Sequence, residues 1–465
     1  MNFFKKNKKT IVLNFIAPLM IFGMLGSLSA SIFSGCGKQD PKDLKATLEF
    51  WNVFDNSDVY FGLIQQFNKE YPNIKITYYK KDYIDYEKDL VNDMAAGRGP
   101  QIFGVHNTWL SKHADKIYPM PPITQFEGQE SLTPKEFKDT FVDVVAQDFI
   151  VYGQDDSGNI ASEQIDALPL YVDTLALYWN KDLFNSAGIS GPPKDWLEFS
   201  QDVEKLTKRD ESNNILQAGA ALGTATNINR AQDILALLMM QTGTEMVDLN
   251  SWEAIFDKPV KDAEGQNYAS GLKAFEFYYN FANTIKKTYT WNNQMDYSID
   301  AFAKGNLAMM INYSYHITTI KAKQTHLNFA IAAVPQPENA KINISYPNYW
   351  GLTVSSRTTA DQRSAAWIFI KWLTQSAQAK QYLELVHKPT ARRDLVDFQK
   401  NDQELGVFAQ QSLTARSWYQ IDNVAIDEIF NQMIDTVSRG QATLEQALQK
   451  GAKDVTVIMK KKAEN

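Results

Sequence analysis

Apolar residues alternate with polar ones over 46–52 (ATLEFWN) and again over 73–79 (NIKITYY), a period of two that predicts strands. Between and after them the period changes to three or four. Val59, Leu63, Ile64 and Phe67 share one helical face over 59–71, and Leu90, Val91 and Met94 share another over 85–96, stopped by Gly97. A short apolar strand over 101–105 follows and leads to His106. The order strand, helix, strand, helix, strand implies parallel pairing through helical crossovers, an α/β fold.

Further on, 168–179 reads as one strand, 196–208 as a helix, 231–242 as a buried helix ending at Gly243, and 271–285 as an amphipathic helix. Residues 307–312 and 349–354 read as strands. Residues 361–374 read as a helix with Ala366, Ile370 and Leu373 as its apolar stripe. The stretch 119–158 shows no period and is expected to be irregular. Its polar end, Asp155-Asp156-Ser157-Gly158-Asn159, resembles a calcium loop but lacks the alternating oxygen ligands and terminal glutamate, so a hairpin turn is expected there. Residues 210–214 read as a second such turn.

The N-terminal pattern is of another kind. Lys5, Lys6, Lys8 and Lys9 precede an apolar run over 11–33, then Ser34, Gly35 and Cys36, the only cysteine in 465 residues. Small residues before a cysteine suit a signal peptidase. The stretch resembles a bacterial lipoprotein signal, with Phe33 where leucine is usual. That implies a signal over 1–35, lipidation at Cys36 and a polar tether over 36–45. An uncleaved membrane anchor is the alternative, since the run is long enough to span a bilayer. Both readings put the remainder outside the cytoplasm, held at the outer face of the cytoplasmic membrane.

Removing 1–35 would delete four lysines and no acid, making the formal charge of -7 more negative still. An acidic chain is a poor nucleic-acid ligand. Roughly 430 residues exceed what one core comfortably serves, so two lobes are expected. No cysteine remains for a disulfide, and no His or Cys stands at ligand spacing from His106, so neither a metal nor another cofactor is expected.

At Leu168 the sequence LPLYVDTLALYWNKDLF resembles the signature of bacterial extracellular solute-binding proteins of family 1, the sugar receptors of ABC importers. PPKDW at 192–196, FAKGNLAMMIN at 302–312, WGLTVS at 350–355 and AAWIFIKWL at 365–373 continue it, with GPQI at 99–102. The resemblance implies a two-lobed periplasmic-binding-protein-like (type II) clamp, maltose-binding-protein-like. Each lobe is a sheet flanked by helices, the chain crosses three times, and ligand sits in the cleft. The crossings are expected near 168–173, 345–349 and 388–392. The first lobe would comprise 46–170 plus 347–390, and the second 171–346 plus 391–465. The implied partners are a sugar or oligosaccharide and the permease subunits, with the receptor itself a monomer.

A sugar has C–H faces that flat rings cover and rim hydroxyls that amides, carboxylates or Arg can pair with. Candidates at strand ends are Trp51, Asn52, His106, Asn107 and Thr108. Tyr171 and Asp173 lie at the first crossing, Trp350 at the second and Arg392 at the third. After Asn312 similar proteins carry glycine, serine and a stacking tryptophan; here Tyr313, Ser314 and Tyr315 follow, so Tyr315 is expected to keep the aromatic platform. Tyr289 and Trp291, in a polar loop, are weaker candidates, and Tyr178 and Trp179 read as core. The sequence has no Gly-x-Ser-x-Gly elbow, His-Glu-x-x-His, phosphate loop or dinucleotide glycine pattern. An exported carbohydrate-cleaving enzyme using two carboxylates, or an adhesin, are the alternatives to a receptor without chemistry.

Overall fold

The computed structural model describes residues 40–463 except 123, 125, 127, 155–159 and 263. The signal at 1–35, Cys36 and the start of the tether lie outside the described residues, as does the polar turn at 155–159.

The chain enters on a 3-10 turn, Pro41–Asp43, after which Leu44 is buried and Asn73 Nδ2 donates to the Lys42 carbonyl at 2.8 Å. The stretch 40–45 is therefore packed rather than free, because Pro41 and Leu44 are apolar enough to bury. The strand β1 (Ala46–Asn52) pairs in parallel with β2 (Ile74–Lys80) and β3 (Ile102–His106), joined by helices α1 (Ser57–Glu70) and α2 (Tyr83–Ala95). The buried stripes are Tyr60, Leu63, Phe67 on α1 and Tyr86, Leu90, Met94 on α2, so tyrosines take the places expected for Val59 and Val91. Strand Trp350–Ser355 adds antiparallel to β3 and makes the sheet mixed, and the short strands Ile117–Tyr118 and Leu168–Pro169 pair with it in turn.

A second mixed sheet runs in the order Lys208–Arg209, Ile215–Ala220, Leu307–Asn312, Ala176–Asn180, Phe329–Ala332. Lys208–Arg209 and Ile215–Ala220 pair antiparallel, as a hairpin turn at 210–214 requires. Each sheet has its own hydrophobic core. The first draws on Leu44 to Val172, Tyr349 to Leu395, and Ala415. The second draws on Leu175 to Tyr346 and Leu405 to Met459.

The chain thus changes core near 173, near 347 and between 395 and 405. The third change comes later than the expected boundary at 390/391, because Ala391 and Leu395 bury in the first core. The crossing segments lie side by side. Asp173–Thr174 pairs with Pro347–Asn348, Tyr171 bridges Thr390, and Val172 N donates to the Pro389 carbonyl at 3.1 Å. This breaks the single strand expected over 168–179 into three pieces. Leu168–Pro169 joins the first sheet, Asp173–Thr174 the crossing, and Ala176–Asn180 the second sheet.

The stretch 119–158 is not irregular throughout. It holds two short helices, Pro134–Thr140 and Asp143–Phe149, and then Ile150–Gln154 pairs antiparallel with Ile160–Ile165. Thr133 and Glu136 form a capping box at the first helix, a Thr-x-x-Glu signal present in the sequence.

Candidate functional site

β1 ends in a turn that pushes an aromatic ring into solvent. Phe54 has a positive φ of 68°, a backbone state that costs a non-glycine residue about 1–3 kcal/mol, and its side chain is 48% exposed. The next residue supplies the restraint. Asp55 is buried and its carboxylate accepts from the Tyr60 and Tyr382 hydroxyls, at 3.1 and 2.7 Å, and from Lys388 Nζ at 2.6 Å. Across from Phe54, the N-cap Asp82 starts α2 so that Tyr83 stands on its first turn, 52% exposed and 5.3 Å from Phe54 between ring centroids.

Trp350 lies behind these two rings. It touches Phe54, Tyr86, His106 and Trp109, with Trp109 at 4.9 Å, and is only 6% exposed. It is the floor under the platform expected of it, and Phe54 with Tyr83 present the open faces.

Other expected residues on this side are turned inward. Trp51 is buried, donates to Glu49 and carries Lys81 Nζ 3.6 Å above its ring. Asn52 donates to Tyr60 and accepts from Val53 N, and its amide occupies the place a Cβ on Gly104 would need. His106 shares a hydrogen with Thr108 Oγ1 at 2.8 Å; burial, and then the charge of Arg230, push its imidazole down to about 3, so it is neutral. Asn107 donates to Asp148, and Thr108 is half-buried.

Three more belong to the crossings. Tyr171 lies under the Lys388 ammonium at 4.3 Å. The Asp173 carboxylate is taken up by Ser314 N, Ser314 Oγ and Thr174 N, leaving it 4% exposed, with burial pushing it up to about 6 against those bonds. Arg392 donates to the Thr374 carbonyl and pairs with Asp394. These residues brace the frame instead of facing open space.

The opposite wall is built on the second sheet. After Leu307–Asn312, the grip of Asp173 on Ser314 orients the loop so that Tyr315 is 48% exposed, stacked at 14° on buried Tyr313. Tyr315 keeps an open face. Trp291 does not: it is fully buried in the second core and donates to Asn227. Tyr289 is buried also, and Tyr178 is core as expected.

Residues no pattern marked complete this wall. Arg230 precedes helix Ala231–Gln241 with φ 63° and pairs with Asp233 at 2.7 Å. His316 shares a hydrogen with Asn229, whose amide donates to Tyr297, itself 40% exposed. The only local hint was a run of polar residues, Asn227 to Gln232, interrupted by Ile228 and Ala231 just before a strongly apolar helix.

The two walls face each other. Trp109 Nε1 donates to Asn423 at 2.8 Å, and Lys112 pairs with Glu87 at 2.8 Å and Asp422 at 3.1 Å. The Tyr83 hydroxyl is pushed up by burial while feeling Arg230, Asp427 and Asp233 from the other side. Open rings on both walls with polar groups between them suit a flat, hydroxylated ligand. A cavity of about 980 Å³ lies elsewhere, beside Pro192, Lys194, Glu198, Asp202 and Gln410, and has no aromatic lining. Among the described residues no cluster of His, Cys, Asp or Glu could hold a metal, and no helix is long and apolar enough to cross a membrane.

The model of bacterial extracellular solute-binding proteins matches residues 62–406, most of the chain. This chain belongs to that family. It is therefore an extracellular or periplasmic solute-binding protein, and the family binds solutes without transforming them. A Brucella abortus protein named as a binding protein is 21% identical over 459 residues, 94% of this chain and 98% of its own. The maltotriose-binding protein of Pyrococcus abyssi is 24% identical over 359 residues, 76% of this solute-binding protein and 68% of its own length. Among solved structures, the cyclic alpha-maltosyl-1,6-maltose binding protein of Arthrobacter globiformis aligns with a TM-score of 0.71 at 16% identity. It covers 90% of this chain and 100% of its own. The α/β fold with two mixed sheets is thus the one expected.

Proposed function

We propose that this protein is the receptor of an ABC importer for a sugar or short oligosaccharide, held between the Phe54–Tyr83 wall and the Tyr315–Arg230 wall. The carrying observation is the pair of solvent-exposed aromatic platforms, each placed by a buried carboxylate, Asp55 on one side and Asp173 on the other. Relatives named for maltotriose and for a cyclic maltosyl-maltose support the same ligand class. Of the residues expected at the site, Tyr315 is the direct contact. Trp51, Asn52, His106, Asn107, Thr108 and Trp350 back the first wall, and Tyr171, Asp173 and Arg392 form hinge scaffolding.

The first lobe comprises 46–172, 349–399 and the turn at Ala415, and the second the remainder of 175–463. They turn about the three crossings to enclose ligand and present it to permease subunits. Cys36 carries lipid that holds the receptor at the membrane, which a thioether chain together with an acylated amino terminus makes stable.

Thermal unfolding of the purified protein against a panel of neutral mono- and oligosaccharides tests the ligand class. At least one should raise the melting temperature by mass action, and a flat response across the panel contradicts the reading. For the anchor, Cys36→Ala should abolish incorporation of labelled palmitate and release protein from membranes.

A further inference from the structure

The charges on the second wall restrict which sugars fit, given the receptor reading above, on which this inference rests. We infer that Arg230, neutralised in place by Asp233 and Asp427, makes the cleft a site for uncharged polyhydroxylated ligands and excludes phosphorylated or carboxylated ones.

Arg230 sits in the left-handed backbone region, φ 63° and ψ 34°, where a non-glycine residue is held only by its surroundings. Those surroundings are explicit. Its Nε and Nη2 both reach Asp233 Oδ2 at 2.7 Å, and the Tyr313 hydroxyl donates to the same oxygen at 2.7 Å. The guanidinium lies 5.4 Å from the Tyr313 ring centroid. Its side chain keeps 24% of its surface open against 6% for Asp233, so the guanidinium is the accessible member of the pair and the counter-charge the covered one. From helix Asn423–Ser438, Asp427 accepts from Gln232 at 3.3 Å and shares the field of both groups.

One cation against two carboxylates leaves the trio neutral or negative. Burial and Asp233 push Asp427 up to about 7 against the pull of Arg230, so near neutral pH the sum lies between zero and one negative charge. Two neighbouring cations are ion-paired as well, Lys112 by Glu87 and Asp422 and Lys388 by Asp55, while Lys81 lies over the Trp51 ring and keeps its charge. His106 and His316 are neutral, pushed down by burial and Arg230 to about 3 and about 4. A phosphate or carboxylate entering beside Arg230 loses hydration and gains no unbalanced positive charge from that trio, whereas a hydroxyl can accept from Arg230 and donate to Asp427.

The test is calorimetric titration with two sets of probes. The neutral set is glucose and maltotriose; the anionic set is glucose 6-phosphate, glucuronate and sn-glycerol 3-phosphate. The wild-type protein should bind a neutral probe at least about tenfold tighter than any anion. Asp233→Asn frees the Arg230 charge and should narrow that ratio by about tenfold. Asp427→Asn, on another helix and partly exposed, should move it the same way and serves if the first variant does not fold. Preference of the wild-type protein for an anion overturns the inference and leaves a receptor standing, as does an unchanged ratio in Asp427→Asn. Failure of every probe, neutral and anionic, overturns the receptor reading and this inference with it.

Discussion

Phe54 and Trp350 touch at 5.9 Å between centroids and have opposite tasks. Trp350 is wrapped by five aromatic side chains, Phe54 among them, and is nearly closed to solvent; Phe54 is half open on a strained backbone. Trp350→Ala should therefore lower unfolding stability by about 3–5 kcal/mol, the range for a large buried aromatic. Phe54→Ala should leave stability within about 0.5 kcal/mol yet weaken sugar binding by about 2 kcal/mol. Urea unfolding and titration of the two variants separate the roles, and the reverse assignment would contradict the site as drawn.

At this scale the sequence pointed to aromatics at segment ends, several of which, Trp51, Trp291 and Trp350 among them, the fold buries. An aromatic at a strand end can be seen in sequence, but which of several rings faces water depends on the turn that follows. Asp55, held by residues from distant helices, decided that for Phe54. Trp291 misled for the same reason: a polar loop surrounds it, yet its ring fills the second core. Asp427 gave no signal, because it comes near the Arg230–Asp233 pair only through tertiary contact.

Among elements, the long periodic ones were legible. Ala46–Asn52 and Leu307–Asn312 were read to the residue, since alternation and a run of buried apolar residues each mark a strand sharply. Helices of seven residues between 134 and 149 were not, because one turn or two cannot display a period. The capping box at Thr133 was the available clue. Asp148, on the second of these helices, ties that region to the crossing: it accepts from Asn107, Tyr349 and Ser417.

Burial pushes the Asp148 carboxyl up from 3.8 to about 6 against those hydrogen bonds. A raised folded value means the native state holds the proton more tightly than the unfolded chain does. The stability this group supplies is complete below pH about 4 and is lost as pH rises to about 6. Urea midpoints for Asp148→Asn should accordingly fall less, or not at all, over that interval compared with the wild-type protein. Parallel curves for the two would show that Asp148 is not the titrating group.

Over the whole molecule, the backbone passes between two sheets with separate cores where Tyr171–Thr174, Tyr346–Asn348 and Pro389–Thr390 run together, so relative motion has few backbone segments to deform. Family membership fixes that such a frame binds a solute, and the proposed place is between the open rings on the facing walls. The general plan was legible early because five motifs occur in order along most of the chain. Beyond the third crossing at Pro389–Thr390, Ala391 and Leu395 still bury in the first core, so the boundary between cores follows burial rather than any break in pattern.

The most direct measurement is a crystal structure of the protein with the neutral sugar that raises its melting temperature most. The account predicts an unmodified sugar stacked on Phe54 or Tyr83 and on Tyr315, with its hydroxyls at Arg230. Sugar seated instead in the cavity beside Pro192 and Gln410, or recovered cleaved, would contradict it.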